Sequence, residues 1–288
     1  MVNGILADNR IRTVIAYMRE TLSSSFDSRE TNQVVRGLCH ELLSMSPAEI
    51  ILNGELTLGE SELLRVHQAV QRIEKGEPVQ YVTGRTWFRG KPFEVNPAVL
   101  IPRPETEELV ELAIHRAGER SLRLLDVGTG SGCIAISLAL SLPQSTLVGC
   151  DVSEAALDVA RQNALLLSAD VEFVQCDILH DWPEQNWDMI ISNPPYIPLS
   201  ETQTMAERVT GYEPGIALFV SDDDPLIFYR RIAEYLSRNR KATAMCEIHP
   251  QFALSLTAMG KEYSLESEIL RDAQDRDRFL IWKSRFES

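Results

Sequence analysis

The strongest constraint on this chain is a change of hydrophobic rhythm at residue 122. From there short apolar runs alternate with helix-like stretches to the C-terminus. Strands are expected at 122–127, 146–150, 171–175, 187–192, 242–248, 263–270 and 279–282, with helices between most of them. Short apolar strands alternating with helices imply an α/β fold, a mostly parallel seven-stranded sheet covered on both faces. The last two runs lie close together and suit an antiparallel edge.

The upstream part reads differently. Val34, Val35, Leu38, Leu42 and Leu43 recur at helical spacing, as do Leu63, Leu64, Val66, Val70 and Ile73. Ser46-Pro47 suits a helix start, and Gly76 a helix end. Residues 85–96 (RTWFRGKPFEVN) place two short aromatic-bearing runs around Gly90-Lys91, as in a β-hairpin. Two prolines then interrupt regular structure in VLIPRPETEELV, after which Glu105, Glu107 and Glu108 suit the first turn of a helix. The expected organisation is a small helical bundle over 1–80, a linker with a β-hairpin over 81–100, and a larger domain over 101–288.

Charge follows the same division. Residues 1–100 carry 11 basic and 12 acidic side chains, net −1; residues 101–288 carry 17 and 30, net −13. An acidic C-terminal part is poorly matched to a nucleic-acid backbone, which is bound largely through Lys and Arg. Five widely separated cysteines without a Cys-x-x-Cys pair argue against a disulfide framework or zinc site. The opening MVNGILADNR has no signal-peptide pattern, and the longest apolar stretch, near 133–142, is about half a membrane span. The chain reads as a soluble cytoplasmic protein.

The first apolar run ends in Asp126-Val127-Gly128-Thr129-Gly130-Ser131-Gly132, a strand entering a glycine-rich turn before a helix. Ligands of open α/β sheets bind beyond the carboxyl ends of the strands, where this turn lies. Asp151 ends the next strand, placed to accept both hydroxyls of a ribose. The spacing is G-x-G-x-G and not the dinucleotide G-x-G-x-x-G, which counts against an NAD-dependent oxidoreductase. Asp126 beside the turn suits a sulfonium or ammonium ligand better than a pyrophosphate, favouring S-adenosylmethionine over NAD. Asp177 and Ile178, after the third strand, are candidates for the adenine amino group and ring; a solvated loop Asp is nearly as good a reading of Asp177.

Asn193-Pro194-Pro195-Tyr196 follows the fourth strand. Two prolines stiffen the backbone and remove its N–H donors, leaving carbonyl acceptors. Asn193 adds a side-chain acceptor and Tyr196 a flat face. These groups suit methylation of a planar NH2 nitrogen. The Asn193 side-chain oxygen and the Pro194 carbonyl can hold its two N–H groups, orienting the lone pair and favouring the positive charge that develops. No metal is implied.

Pro102–Glu107, Asp126–Gly132 and Asn193–Tyr196 together make the chain resemble the HemK/PrmC family of protein-(glutamine-N5) methyltransferases. Weaker parts of the likeness are Gln80–Gly84, Glu213-Pro214 with Ala217-Leu218, and Asp272 through Arg278. The resemblance implies a class I S-adenosylmethionine-dependent methyltransferase, Rossmann-like, behind an N-terminal helical domain that docks the protein substrate. It further implies methylation of the glutamine in the Gly-Gly-Gln loop of peptide chain release factors, modulating translation termination and leaving S-adenosylhomocysteine. By that likeness, Gly128–Gly132 and Asp151 bind the cofactor, Asn193–Tyr196 hold the glutamine amide with Asn193 also bordering the cofactor, and the Pro102–Glu107 segment closes over it. The chain departs from the family pattern at 220–225 (VSDDDP) and at His249, where Gly is common; His249 is given no role. The nearest rival is methylation of an exocyclic amino group of adenine or guanine in RNA or DNA, since a flipped base presents a similar NH2. Against it stand the net −13 and the absence of a basic target-recognition segment. A non-catalytic scaffold of the same fold is opposed by the intact Asn-Pro-Pro-Tyr.

Overall fold

The structure is a computed structural model and describes residues 8–205 and 207–284. Among the described residues five helices precede Gly84: α1 (Ile11–Leu22), α2 (Ser28–Leu43), α3 (Pro47–Leu52), α4 (Glu60–Glu74) and α5 (Val79–Thr83). Local chemistry sets their ends. Asp27 accepts the N–H groups of Arg29 and Glu30, and Glu30 reaches back to the Asp27 N–H, a capping box. Ser46 and Glu49 make the same exchange at α3, with Pro47 at its first position. Gly76, at φ +94°, ends α4 and donates its N–H to the Ile73 carbonyl. Ile11, Met18, Leu22, Val35, Leu38, Val70 and Ile73 form the core of this unit.

The hairpin is β1 (Arg85–Phe88) and β2 (Lys91–Glu94). Phe88 pairs with Lys91, so the two-residue turn is Arg89-Gly90, both at positive φ (49° and 69°). This is type I′ geometry, one residue earlier than the expected Gly90-Lys91. Phe88 and Phe93 meet edge to face at 6.0 Å and are buried in the core of the large sheet. The hairpin therefore belongs with the second of two compact units. The first ends at Gly84 and takes in Glu207–Tyr212; the second runs from Arg85.

In that second unit α6 (Pro104–Ala117) leads into β3 (Arg123–Val127), α7 (Cys133–Ser141), β4 (Thr146–Asp151), α8 (Glu154–Leu167), β5 (Glu172–Gln175) and β6 (Met189–Ser192). Short elements follow: β7 (Ile197–Pro198), α9 (Glu207–Thr210, grouped with the first unit), α10 (Gly215–Leu218) and β8 (Phe219–Val220). The unit ends with α11 (Ile227–Arg238), β9 (Thr243–Glu247), α12 (Ala253–Glu262), β10 (Leu265–Arg271) and β11 (Asp277–Ser284).

All seven strands expected from residue 122 onward lie in one sheet, in the order β10-β11-β9-β6-β3-β4-β5. Only β11 is reversed, antiparallel to both neighbours. The short connection from β10 to β11 permits only a hairpin, since a parallel return needs a crossover. Side chains alternate across the sheet as period two requires. Along β11, Leu280 and Trp282 join the core under α11 and α12, while Phe279 and Ile281 join the core under α6 and α7. The chain runs from β3 outward to β4 and β5, then returns to β6 on the other side of β3. That reversal opens a crevice at the carboxyl ends of the strands. Among the described residues no helix is long and apolar enough to cross a membrane.

Candidate active site

A cavity of about 240 Å³ occupies this crevice. Its walls are mostly apolar. Gly128 and Gly130 come from the turn after β3, Asp151 from the end of β4, Ile178 from beyond β5, and Asn193, Pro194 and Pro195 from beyond β6; Phe228 of α11 adds an aromatic wall. Seven of the residues assigned to the site from sequence line it besides Ile178, which is itself buried.

The turn after β3 is held from below. The Gly128 and Thr129 N–H groups both donate to the Cys150 carbonyl (2.9 and 3.0 Å). Gly130, at φ +53°, donates its N–H to Asp151 Oδ2 (2.9 Å). A Cβ on Gly128 would meet no heavy atom within 4 Å, so the backbone itself faces the cavity. Gly132 has a different task. A Cβ there would stand 2.9 Å from Ile136 Cδ1 and 3.2 Å from Ala160 Cβ, so its absence lets α7 pack on α8.

Asp151 Oδ1 accepts the Ser153 N–H (2.9 Å), so both carboxylate oxygens are anchored. Each oxygen has a second lone-pair direction for a ligand hydroxyl. Burial pushes its pKa upward. Asp177 Oδ1 accepts the Leu179 N–H (2.9 Å) and Oδ2 pairs with His180 Nδ1 (2.9 Å), so this acid shapes its own turn as it borders the cavity.

Asp126, Thr129, Ser131 and Gly132, grouped with the cofactor-facing residues on sequence grounds, do not line the cavity. Asp126 is wholly buried behind the turn. Its Oδ2 accepts from Thr129 Oγ1 (2.7 Å) and from the Ala135 N–H (3.2 Å), tying the turn to the start of α7. Burial pushes its pKa up to about 7, so at neutral pH it is partly protonated and is not a bare charge facing a ligand. The segment expected to close over the cofactor does not itself line the cavity, but its Thr106 accepts a hydrogen bond from Asn193, which does. Ala98, Val99 and Leu100 supply the wall, while Pro104–Glu107 begins α6.

Tyr196 stands beside the cavity wall instead of lining it. Its O–H donates to Glu247 Oε1 (3.0 Å), and burial raises its pKa. His249 lies ring to ring with Tyr196 at 6.1 Å and caps the following 3-10 turn. Ser192 Oγ donates to the Val127 carbonyl (2.8 Å), fixing the end of β6 against the end of β3.

Sequence reasoning gave Thr106, Glu247 and Glu213 no individual role, although Thr106 and Glu213 lie in segments that carry the family likeness. Glu247 is 2% exposed and ends β9, as Asp151 ends β4; an acid closing an apolar strand is the signal that identifies both. Thr106 falls on the buried α6 stripe with Leu109, Val110 and Ala113. Glu213 accepts the Ile101 N–H (3.1 Å) and pairs with Arg103 (2.6 Å), tying down the Pro102–Pro104 stretch.

The chain matches the PrmC N-terminal domain over residues 13–84 and the Methyltransferase small domain over 107–210. It is 36% identical over 269 residues to a release factor glutamine methyltransferase of Flavobacterium psychrophilum, covering 91% of this chain and 94% of that one. The chain belongs to the release factor glutamine methyltransferase family. Another member, from Chlorobaculum tepidum, is 34% identical over 96% of this chain and 98% of its own length. Among solved structures, the hMettl16 catalytic domain in complex with an RNA hairpin superposes with a TM-score of 0.52 at 17% identity, covering 81% of this chain and 85% of that one. That likeness is one of fold. As a family member the chain is a methyltransferase on a class I scaffold, and the cavity above is where that scaffold binds ligands.

Proposed function

We propose that this chain methylates the side-chain amide nitrogen of the glutamine in the Gly-Gly-Gln loop of a peptide chain release factor, with S-adenosylmethionine as methyl donor. The observation that carries this reading is one cavity shared by Asp151, the glycine backbone and the Asn193-Pro194-Pro195 wall. The residues fit the donor: a two-oxygen acceptor for a ribose, side-chain-free backbone, and apolar walls at Ile178 and Phe228 for a flat ring. Bound there, S-adenosylmethionine supplies a methyl carbon made electrophilic by its sulfonium. Asn193 Oδ1 and the Pro194 carbonyl then accept the two amide N–H groups of the substrate. This points the nitrogen lone pair at the incoming carbon and compensates the charge it gains. The stiff Pro-Pro backbone holds that geometry, and orientation of this kind can lower a barrier by roughly 7–11 kcal/mol in ideal cases. The helical unit ending at Gly84 serves to dock the protein substrate, and the net −13 of residues 101–288 disfavours a nucleic-acid substrate.

The test is mass spectrometry of purified release factor after incubation with the enzyme and S-adenosylmethionine, beside parallel reactions with total RNA and DNA. One methyl group on the Gly-Gly-Gln glutamine is expected; methyl transfer to nucleic acid alone would overturn the reading. A second measurement addresses Asp151. Asp151→Ala removes hydrogen bonds to a charged acceptor worth roughly 1.5–3 kcal/mol, so the Kd for S-adenosylmethionine should rise about 10- to 100-fold by calorimetry. An unchanged Kd would exclude Asp151 from the cofactor site.

A further inference from the structure

Glu247, Thr106 and the Asn193–Tyr196 segment come from three separate parts of the chain, and Glu247, Thr106, Tyr196 and Asn193 form one hydrogen-bonded path. Glu247 Oε1 accepts from the Tyr196 O–H at 3.0 Å. Glu247 Oε2 accepts from Thr106 Oγ1 at 2.9 Å, and Thr106 Oγ1 in turn accepts from Asn193 Nδ2 at 3.2 Å. Thr106 is 2% exposed and Glu247 is 2% exposed, so water is kept from the bond between them, while Asn193 and Tyr196 at the two ends of the path are half-buried.

We infer that Glu247 is a positioning residue that, acting through Thr106, sets which end of the Asn193 carboxamide faces the cavity. The inference rests on the reading that Asn193 offers an acceptor to the substrate amide. A hydroxyl has one hydrogen to give. An ionised carboxylate has none, so Thr106 must give its hydrogen to Glu247. Only lone pairs then remain for Asn193, which must turn its NH2 toward Thr106. That leaves Oδ1 as the end available to a substrate N–H. A donor in place of Glu247 Oε2 reverses the path: Thr106 accepts from it, donates to Asn193 Oδ1, and the Asn193 NH2 faces the cavity. Two donors would then confront each other, and the substrate nitrogen would lose one of its two acceptors.

The surroundings of Glu247 act on the same switch. Burial raises its pKa, and Glu105 at the start of α6 adds to that; Arg278 on β11, itself held by Asp272, opposes it. Tyr196 and Thr106 donate to its two oxygens, Tyr229 of α11 donates to its backbone carbonyl (2.8 Å), and His249 follows two residues on. The acid limb of the kcat profile should therefore lie above the ordinary carboxylate range, with activity rising as pH rises through the Glu247 pKa.

The experiment compares Glu247→Gln, Thr106→Val, Thr106→Ser and the Glu247→Gln/Thr106→Val pair in the full-length enzyme, with intact release factor as substrate. Glu247→Gln and Thr106→Val should each lower kcat by about 10- to 100-fold, the scale of a misplaced reacting group, with the Kd for S-adenosylmethionine within about threefold of wild type. Thr106→Ser should restore kcat to within about threefold, because it keeps the hydroxyl. The double variant should be no worse than its worse parent, and Glu247→Gln should lose the acid limb. A kcat near wild type in Thr106→Val, or equal damage in Thr106→Ser and Thr106→Val, overturns the inference. Thr106→Val leaves Glu247 paired with Tyr196, so it carries the test should Glu247→Gln not fold. Failure of the wild-type enzyme to methylate release factor would instead defeat the functional reading.

Discussion

Asn193→Ala is expected to lower kcat for release factor methylation by about 10²- to 10³-fold, the usual loss when one preorganised charge-stabilising group is removed from an active site. The Kd for S-adenosylmethionine should change only a few-fold. The reason lies in the division of the cavity. Asp151 and the glycine backbone form one end, and the Asn193-Pro194-Pro195 wall forms the other. Removing the carboxamide takes away an acceptor whose value is greatest as charge builds on the substrate nitrogen, so the loss should fall on turnover and not on ground-state binding. Asn193→Asp is the sharper companion. It keeps the size and an oxygen but has no NH2 for Thr106, whose hydrogen is already given to Glu247. Aspartate therefore sets a second acid against the Thr106 lone pairs and should not rescue turnover. Single-turnover methyl transfer with saturating cofactor separates the two effects. Equal losses in kcat and cofactor affinity would show that Asn193 serves the cofactor and not the amide.

The parts of this molecule that could be read from the sequence are those whose determinants are contiguous. Seven strands were legible because each is a short apolar run bounded by turn residues, and the Gly-rich turn and Asn193–Tyr196 each sit directly after one. The hairpin turn was displaced by a residue because Gly90 draws attention while Arg89, also at positive φ, carries no such signal. The 81–100 stretch read as a linker because alternation reveals a strand without revealing what it packs on; Phe88 and Phe93 in fact enter the sheet core. Asp126 read as a charge beside a ligand because a sequence shows the acid but not Thr129 and Ala135 closing over it. Glu247 and Thr106 are 141 residues apart and meet only because β9 lies beside β6 while α6 packs against β9. No local pattern encodes that meeting, although both residues sit at strand or helix ends where buried polar groups need partners.

Gly260→Ala should lower the melting temperature of the enzyme by roughly 4–15 °C without altering kcat measured at 25 °C on folded protein. Gly260 lies in α12 where the helix crosses β10 and β11. A Cβ at this position would overlap Ser267 Oγ and stand 2.7 Å from Trp282 Nε1, two atoms that are themselves hydrogen-bonded at 2.9 Å. Ser267 can rotate away, but the Trp282 N–H then loses its acceptor in a side chain that is wholly buried, a cost of about 1–3 kcal/mol. The indole cannot follow, because it is enclosed in the core beneath α11 and α12. The helix must lift instead, and forcing extra atoms into a packed seam costs about 1–3 kcal/mol more. The strain falls at the β10–β11 edge of the sheet, while the catalytic cavity opens over β6, β3 and β4. Thermal unfolding followed by circular dichroism, with and without saturating S-adenosylmethionine, provides the measurement. A melting temperature within 2 °C of wild type would mean that α12 slides on the sheet freely enough to absorb a methyl group, contrary to the close packing argued here.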